Sequence, residues 1–266
     1  MFRKIWSFIK NGELPEGLQS EGANSVIDMP TYAIGDIHGR SDLFEGLLAK
    51  ILAEVKARGK PARLVCLGDY VDRGPSSNLV VERLVRLTQD EHLRQYWPEV
   101  IVLRGNHEAT LLDFLNGAEN GPSWMEYGGL STLAAYGVAP PASRNDMEAW
   151  EVTRQNLERA LPKAHKDLLE RSELLFEAGD YLFVHAGVRP GQPLYAQGEE
   201  TFLWIRGEFL SAHQACEKVV VHGHTPEETA SVLPWRIGLD TGAYATGVLS
   251  AIYLEGTERR LVQVGL

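Results

Sequence analysis

Five times along this chain a short apolar run stops abruptly in a loop that carries glycine together with histidine, aspartate or asparagine. The runs are TYAIG, ARLVCLG, EVIVLRG, DYLFVHAG and KVVVHGHTP. Each reads as a buried strand, and the glycine-rich segment behind it as the loop leaving that strand's carboxyl end. Helical periodicity follows the first three. From Asp42 to Ala57 the residues Leu43, Leu47, Leu48, Ile51, Leu52 and Val55 recur every three or four positions, with Ser41 placed as N-cap and Gly59 and Pro61 closing the helix. A second helix is expected from Asn78 to Leu87, with Leu79, Val80, Leu84 and Leu87 facing inward, and a third from about Glu108 to Leu115. Three consecutive strand–loop–helix units predict an α/β layered fold, in which the site lies where loops leave the carboxyl ends of strands.

The rest of the chain fits the same domain. Asn116 to Asp146 is broken by NGAENGPS, YGG and APPAS around Trp124, Tyr127 and Tyr136, and reads as an irregular or partly helical insertion able to rim a pocket. A helical stretch from about Met147 to Leu169 precedes LLFEAG and DYLFVHAG, whose Gly-Asp junction predicts a hairpin. EETFLWIRGEFL reads as helix or turn, and RIGLDTGAY, GVLSAIYL and RLVQVGL as strand-like runs between glycine turns. With no repeat and no linker, the expected organisation is an N-terminal extension over 1–25 and one catalytic domain over 26–266.

Charge and composition remove several classes of function. The 36 acidic and 26 basic residues leave a formal charge of −10, a global field that repels polyanions, so nucleic acid is not an expected partner. The two cysteines, Cys66 in a buried run and Cys216, are too few for a disulfide framework or a thiolate metal site. No apolar stretch approaches the roughly 18 to 20 residues that span a bilayer, and the first residues lack the pattern of a secretory signal, so a cytoplasmic protein is expected. MFRKIWSFIK places Phe2, Ile5, Trp6 and Ile9 on one helical face beside Arg3, Lys4 and Lys10. Residues 1–10 are therefore expected to dock on their own domain, or to contact a partner or a membrane surface.

The loops concentrate one kind of chemistry: Asp36 and His38; Asp69, Asp72 and Arg73; Arg104, Asn106, His107 and Glu108; His185; His222 and His224. Any one of these groups alone is an ordinary turn carboxylate or capped histidine. Five of them at strand ends would crowd desolvated carboxylates and imidazoles together unless cations bound them. Oxygen and imidazole donors without thiolate favour Mn, Fe, Zn or Mg, and a carboxylate such as Asp69 can bridge two ions. Two dications less the charges of Asp36 and Asp69 leave about +2, which suits a phosphate dianion. Arg73 and Arg206 offer planar forks for its free oxygens.

Taken in order, GDIHG, GDYVDRG, GNHE, HAG and HGHT resemble the phosphoprotein phosphatase family of calcineurin-like metallophosphoesterases, over Gly35 to Thr225. The resemblance implies an α/β fold of two mixed β-sheets packed as a sandwich with helices outside, and a two-metal centre at the sheet edge. By matching position, Asp36 and His38 would bind the first metal, Asp69 would bridge, and Asn106, His185 and His224 would bind the second. His107 would be the general acid, oriented by Asp72. Arg73, Asn106 and Arg206 would hold the phosphoryl oxygens, and Tyr244 matches a family aromatic near the substrate. Two divalent ions are expected, Mn first, with Fe, Zn or Mg as alternatives.

A bridging hydroxide would attack phosphorus directly, with no phosphoenzyme. The expected substrate is a phosphoprotein or phosphopeptide bearing phosphoserine or phosphothreonine, with phosphotyrosine also open. The alternative is a diadenosine tetraphosphatase or other small-molecule phosphoesterase, against which Asp72 counts because the dinucleotide hydrolases depart from the family at that aspartate. A noncatalytic phosphate-binding module is the third reading. Of the remaining loop residues, His222 is expected to line a strand end rather than bind metal, and Arg104 and Glu108 to steady their loop by charge pairing.

Overall fold

A computed structural model describes residues 25–265, so the expectations for residues 1–10 lie outside the described residues. The chain begins with β1 (Ile27–Ile34), α1 (Ser41–Arg58), β2 (Arg63–Cys66), α2 (Ser77–Gln89), β3 (Val100–Val102) and α3 (Asn106–Asn116). Helices α4 (Gly121–Glu126), α5 (Gly129–Ala135), α6 (Met147–Ala160) and α7 (Lys163–Arg171) follow, then the hairpin β4 (Leu175–Ala178) and β5 (Tyr181–Val184). After α8 (Glu199–Trp204) and α9 (Gly207–Leu210) come β6 (Val219–His222), β7 (Ser231–Val232), β8 (Arg236–Gly238), α10 (Ala243–Thr246), β9 (Val248–Gly256) and β10 (Glu258–Gly265).

These strands form two mixed sheets, ordered β10-β9-β1-β2-β3 and β4-β5-β6-β8-β7. In the first, β1, β2 and β3 are parallel and β9 and β10 antiparallel; in the second, β5, β6 and β8 are parallel and β4 and β7 antiparallel. Side chains alternate faces along a strand, and here the alternation builds three apolar layers. Ala33, Val65, Ile252, Phe183, Val221 and Ile237 meet between the sheets. Tyr32, Ile34, Leu64 and Cys66 face the opposite way onto α1, α2 and α3, while Leu182, Val184 and Val220 face α8 and α9. This is the two-sheet sandwich with helices outside that the family resemblance implies.

Several boundaries differ from the sequence reading, each for a local reason. Ser41 is the first residue of α1 rather than its cap; Arg40 precedes the helix, with its guanidinium on Asp42 and on the Ala243 carbonyl. In α2 the inward face is Val80, Val81, Leu84, Val85 and Leu87, and Leu79, expected inside, stands 54% exposed. The expected helix from Met147 to Leu169 breaks at Leu161-Pro162, since proline has no N–H to continue the ladder. Helix α3 starts at Asn106, before the expected Glu108, because the Glu108 carboxylate reaches back to accept the Gly105 N–H at 2.9 Å. The insertion is helical in its first half, and its Trp124 is fully buried, stacked on Phe114 at 4.9 Å.

Phe183 fills the space between the sheets without exposure. Phe183→Ala is expected to lower the unfolding free energy by about 3–5 kcal/mol, read by denaturant titration, because the seam cannot close over the lost ring.

Candidate metal centre

All six parallel strands end at one edge, and their loops are bonded to one another across the two sheets. The N–H groups of Ile37 and His38 both donate to the Asp69 carbonyl at 3.1 and 2.8 Å, Gly39 N–H to Tyr70 at 2.8 Å, and Gly223 N–H to His185 at 2.8 Å. His224 N–H donates to both Asp36 carboxylate oxygens at 2.9 and 3.2 Å, joining the sheets directly. The motif glycines permit this closeness. A Cβ on Gly39, at φ 62°, would lie 2.6 Å from the Gly74 carbonyl oxygen, and one on Gly68, at φ 103°, 2.6 Å from the Gly105 nitrogen.

The backbone is strained where the chemistry collects. Among the described residues, the non-glycine residues with positive φ are His38, Asp69, Asp72, Arg73 and His224, all predicted site residues. Such conformations cost roughly 1–3 kcal/mol each and persist only where surrounding bonds over-determine them. Glu108 supplies many of those bonds. Its buried carboxylate accepts from the N–H groups of Asp69 (2.8 Å), Tyr70 (2.7 Å), Val71 (3.1 Å) and Gly105 (2.9 Å). Glu108 thus holds backbone rather than a charge partner, and Arg104, expected to pair with it, turns to Glu199, Ser172 and the Glu170 carbonyl.

Asp69 is the shared centre of the cluster. Its carboxylate groups with His38 and His107 on one side and with His185 and His224 on the other, each trio buried with ligand atoms within 4.8 Å of one another. Asn106 Oδ1 lies 2.9 Å from both His185 Nε2 and His224 Nδ1, so the amide belongs to the second trio. Asp36 sits behind these groups, on the His224 backbone.

The donors fit cations. His38 Nδ1 donates to the Val71 carbonyl and His185 Nδ1 to the Leu67 carbonyl, both at 2.9 Å, which aims the Nε2 lone pair of each neutral ring into the cluster. His38 Nε2 then faces Asp69 Oδ2 at 3.5 Å, acceptor against acceptor, and His224 Nε2 is buried without a partner. Burial, with the charges of Asp240 and Asp69, drives the Asp36 pKa well above the ordinary carboxylate range, and burial pushes Asp240 up to about 6. Metal ions between these groups would remove all three conflicts at once. Asp240 was not singled out in the sequence, although it follows the same pattern of a carboxylate in a glycine-bearing loop behind an apolar strand.

Beside the cluster lies a separate dyad. His107 Nδ1 donates to Asp72 Oδ2 at 2.8 Å, and Asp72 also accepts from Trp124 Nε1 at 3.0 Å and from the Thr132 hydroxyl at 2.6 Å. Burial disfavours the imidazolium of His107, but the Asp69 charge and the Asp72 hydrogen bond outweigh it and raise the pKa. Arg73 Nη2 lies 3.1 Å from His107 Nε2, so both point to one place. Tyr244 borders it, its ring centre 5.3 Å from His38 and 4.8 Å from the Arg73 guanidinium carbon. Arg206 is exposed between α8 and α9, near enough for its charge to act on His185 and His224. Trp124 and Thr132 had no signal in the sequence, because the insertion brings them to Asp72 only in three dimensions.

A two-sheet α/β protein with buried His and Asp donors at its common strand edge is thereby defined, and comparison with known proteins agrees. Residues 29–235 match the model of the family described as calcineurin-like phosphoesterase. The chain belongs to that family, a metallophosphoesterase family that uses a dinuclear metal site. A symmetrical bis(5′-nucleosyl)-tetraphosphatase from Acidovorax sp. (strain JS42) is 32% identical over 164 residues, 61% of this chain and 45% of that protein. The chain therefore spans less than half the length of that relative. The asymmetrical bis(5′-nucleosyl)-tetraphosphatase PrpE from Oceanobacillus iheyensis is 28% identical over 245 residues, 82% of this chain and 86% of the relative. A crystal structure described as that of a candidate diadenosine tetraphosphatase superposes with a TM-score of 0.59 at 21% identity, over 91% of this chain and 98% of that one, a likeness of fold.

His222 stands outside the cluster, with Nδ1 on the Gly223 carbonyl at 3.0 Å and its ring edge-on to Phe209 at 5.0 Å. Burial pushes its pKa down to about 3. The folded ring therefore stays neutral while the unfolded chain takes up a proton below about 6.5, so its stability contribution is intact at neutral pH and is lost as pH falls from 6.5 toward 3. Relative to wild type, His222→Gln is expected to gain about 2 kcal/mol between pH 7 and pH 5. Denaturant unfolding of metal-free protein at both pH values checks this, and a constant difference contradicts it.

Proposed function

We propose that residues 26–266 form a catalytic domain that hydrolyses dinucleoside polyphosphates of the diadenosine tetraphosphate type, using Asp36, His38, Asp69, Asn106, His185 and His224 to hold two divalent cations. The single observation that carries the hydrolytic reading is the pair of buried trios sharing Asp69 next to a histidine held by a second buried aspartate. The substrate follows from the relatives named as bis(5′-nucleosyl)-tetraphosphatases. This reverses the order of the two enzyme readings drawn from Asp72. A donor set of oxygen and imidazole without thiolate suits Mn, Fe, Zn or Mg, of which Mn is the first to test.

Cations held there supply positive charge against the phosphoryl oxygens and make water a stronger nucleophile near neutral pH. The chain's own residues do the rest. Arg73, Arg206 and the Asn106 amide bind the phosphoryl group and orient it. His107, held through Nδ1 on Asp72, gives the Nε2 proton to the departing oxygen. Asp72 itself stays hydrogen-bonded to Trp124 and Thr132 and fixes the plane of the imidazole. Tyr244 closes one side of the site over Arg73.

A departing phosphate oxygen needs that proton less than a serine alkoxide does. His107→Asn is accordingly expected to lower kcat/KM by about 100- to 10,000-fold on an alkyl phosphate and by less on diadenosine tetraphosphate. Steady-state rates of Mn-loaded protein on both substrates test it, and an unchanged rate on the alkyl ester removes His107 from the reaction.

The second reading, phosphoserine or phosphothreonine in proteins, rests on GDYVDRG and its Asp72. Competition between a phosphoserine peptide and diadenosine tetraphosphate decides between the two. The dinucleotide is expected to be consumed first, and preference for the peptide would restore the protein-phosphatase assignment.

A further inference from the structure

The rings of Tyr127 and Trp204 stand at the mouth of the site, brought from distant segments: Tyr127 immediately follows α4 in the insertion, and Trp204 is the last residue of α8. Their centres are 5.8 Å apart, inclined at 62°. Each also touches a different wall of the cluster, Tyr127 edge-on to His107 at 6.3 Å and Trp204 edge-on to His224 at 6.2 Å. Yet both remain open to solvent, at 41% and 37%, while Trp124, Trp150 and Phe114 nearby are fully buried. Two large rings are thus positioned by packing at their edges and left uncovered next to the proposed acid and a proposed ligand.

The ground behind them excludes further phosphate. Trp204 also lines a cleft of about 530 Å³ in which Asp113, Glu170, Glu199 and Glu200 outnumber Arg104 and Lys166. A polyphosphate chain bound over the cationic site would be repelled there. A neutral planar group attached to it would instead stack on the rings and offer an exocyclic amine to carboxylate acceptors. Tyr244 is less suited, since the Arg73 guanidinium already lies over its ring.

We infer that Tyr127 and Trp204 form a stacking platform for the nucleobase of the substrate, an assignment that rests on the dinucleotide reading above and makes these two rings its specificity determinants. The platform selects a base next to the phosphate under attack, whereas the cluster itself recognises only phosphate.

The test isolates the base from the phosphate. Calorimetry on the Mn-loaded full chain compares adenosine 5′-monophosphate with ribose 5-phosphate, which differ only in the base. Wild type is expected to bind the nucleotide about tenfold tighter or more, the scale of base–aromatic stacking. Tyr127→Ala and Trp204→Ala should each bring that ratio toward one, and Trp204→Phe, which keeps a ring, should retain most of it. A wild-type ratio near one, or a ratio unmoved by both alanine variants, overturns the platform. So does a ratio of one accompanied by loss of affinity for an aromatic-containing phosphopeptide in the variants, which would make the rings a peptide contact. Turnover of diadenosine tetraphosphate is scored separately. A base-dependent ratio without that turnover leaves the platform and removes the substrate assignment, and turnover with a ratio of one does the reverse.

Discussion

Burying Asp69 between the two sheets, among four imidazoles, is the constraint to which the rest of the structure answers. A carboxylate there is stable only if positive charge and hydrogen bonds surround it. Burial raises its pKa, and His107, whose own pKa is raised, sets positive charge beside it, while burial keeps His38, His185 and His224 neutral and leaves their lone pairs calling for cations. The backbone N–H of His107, in the first turn of α3, adds a donor to Asp69 Oδ1 at 3.1 Å, where the helix dipole favours negative charge. The same carboxylate raises the pKa of His107, so the donor cluster and the His107–Asp72 pair are one electrostatic unit.

Such a unit needs a frame that does not relax. Residues with positive φ at His38, Asp69, Asp72, Arg73 and His224 would revert to ordinary backbone if their loops were free. Glu108 prevents this for the second loop by taking N–H groups of three consecutive residues, Asp69, Tyr70 and Val71. Burial and the Asp69 charge raise the Glu108 pKa to about 7, against the backbone hydrogen bonds from Val71 and Tyr70, which lower it. Tyr70 adds a second tie, its hydroxyl donating to the Leu103 carbonyl at 2.7 Å and so joining the loops behind β2 and β3.

The insertion gives the site its individuality. It sends Trp124 and Thr132 inward to hold Asp72 and leaves Tyr127 edge-on to His107, so one stretch of chain both fixes the His107–Asp72 pair and shapes the entrance. In the proposed reading phosphate recognition and substrate choice are separated, the first in the strand-end loops, the second at the rings of Tyr127, just after α4, and Trp204, at the end of α8.

Much of this was legible in the linear chain, because strand ends and glycine loops are local. Apolar runs that stop at Gly-Asp, Gly-Asn, His-Ala-Gly and His-Gly marked five of the six loops, and their donor types pointed to an oxygen–nitrogen metal site. The sixth, with Asp240, carries the same pattern in RIGLDTGAY, a carboxylate behind an apolar strand and before a glycine. Periodicity misplaced Leu79, since helical spacing identifies a face but not how far the apolar stripe extends around it. Residue type and order alone determined the layered fold, the donor set and the phosphate chemistry, for these depend on hydrophobic period and ligand softness. Only the tertiary structure decided that Asp69 lies between two trios, that Glu108 grips backbone instead of Arg104, and that Trp124 reaches Asp72. Each of those depends on distances between segments far apart in the chain, which no spacing along it encodes.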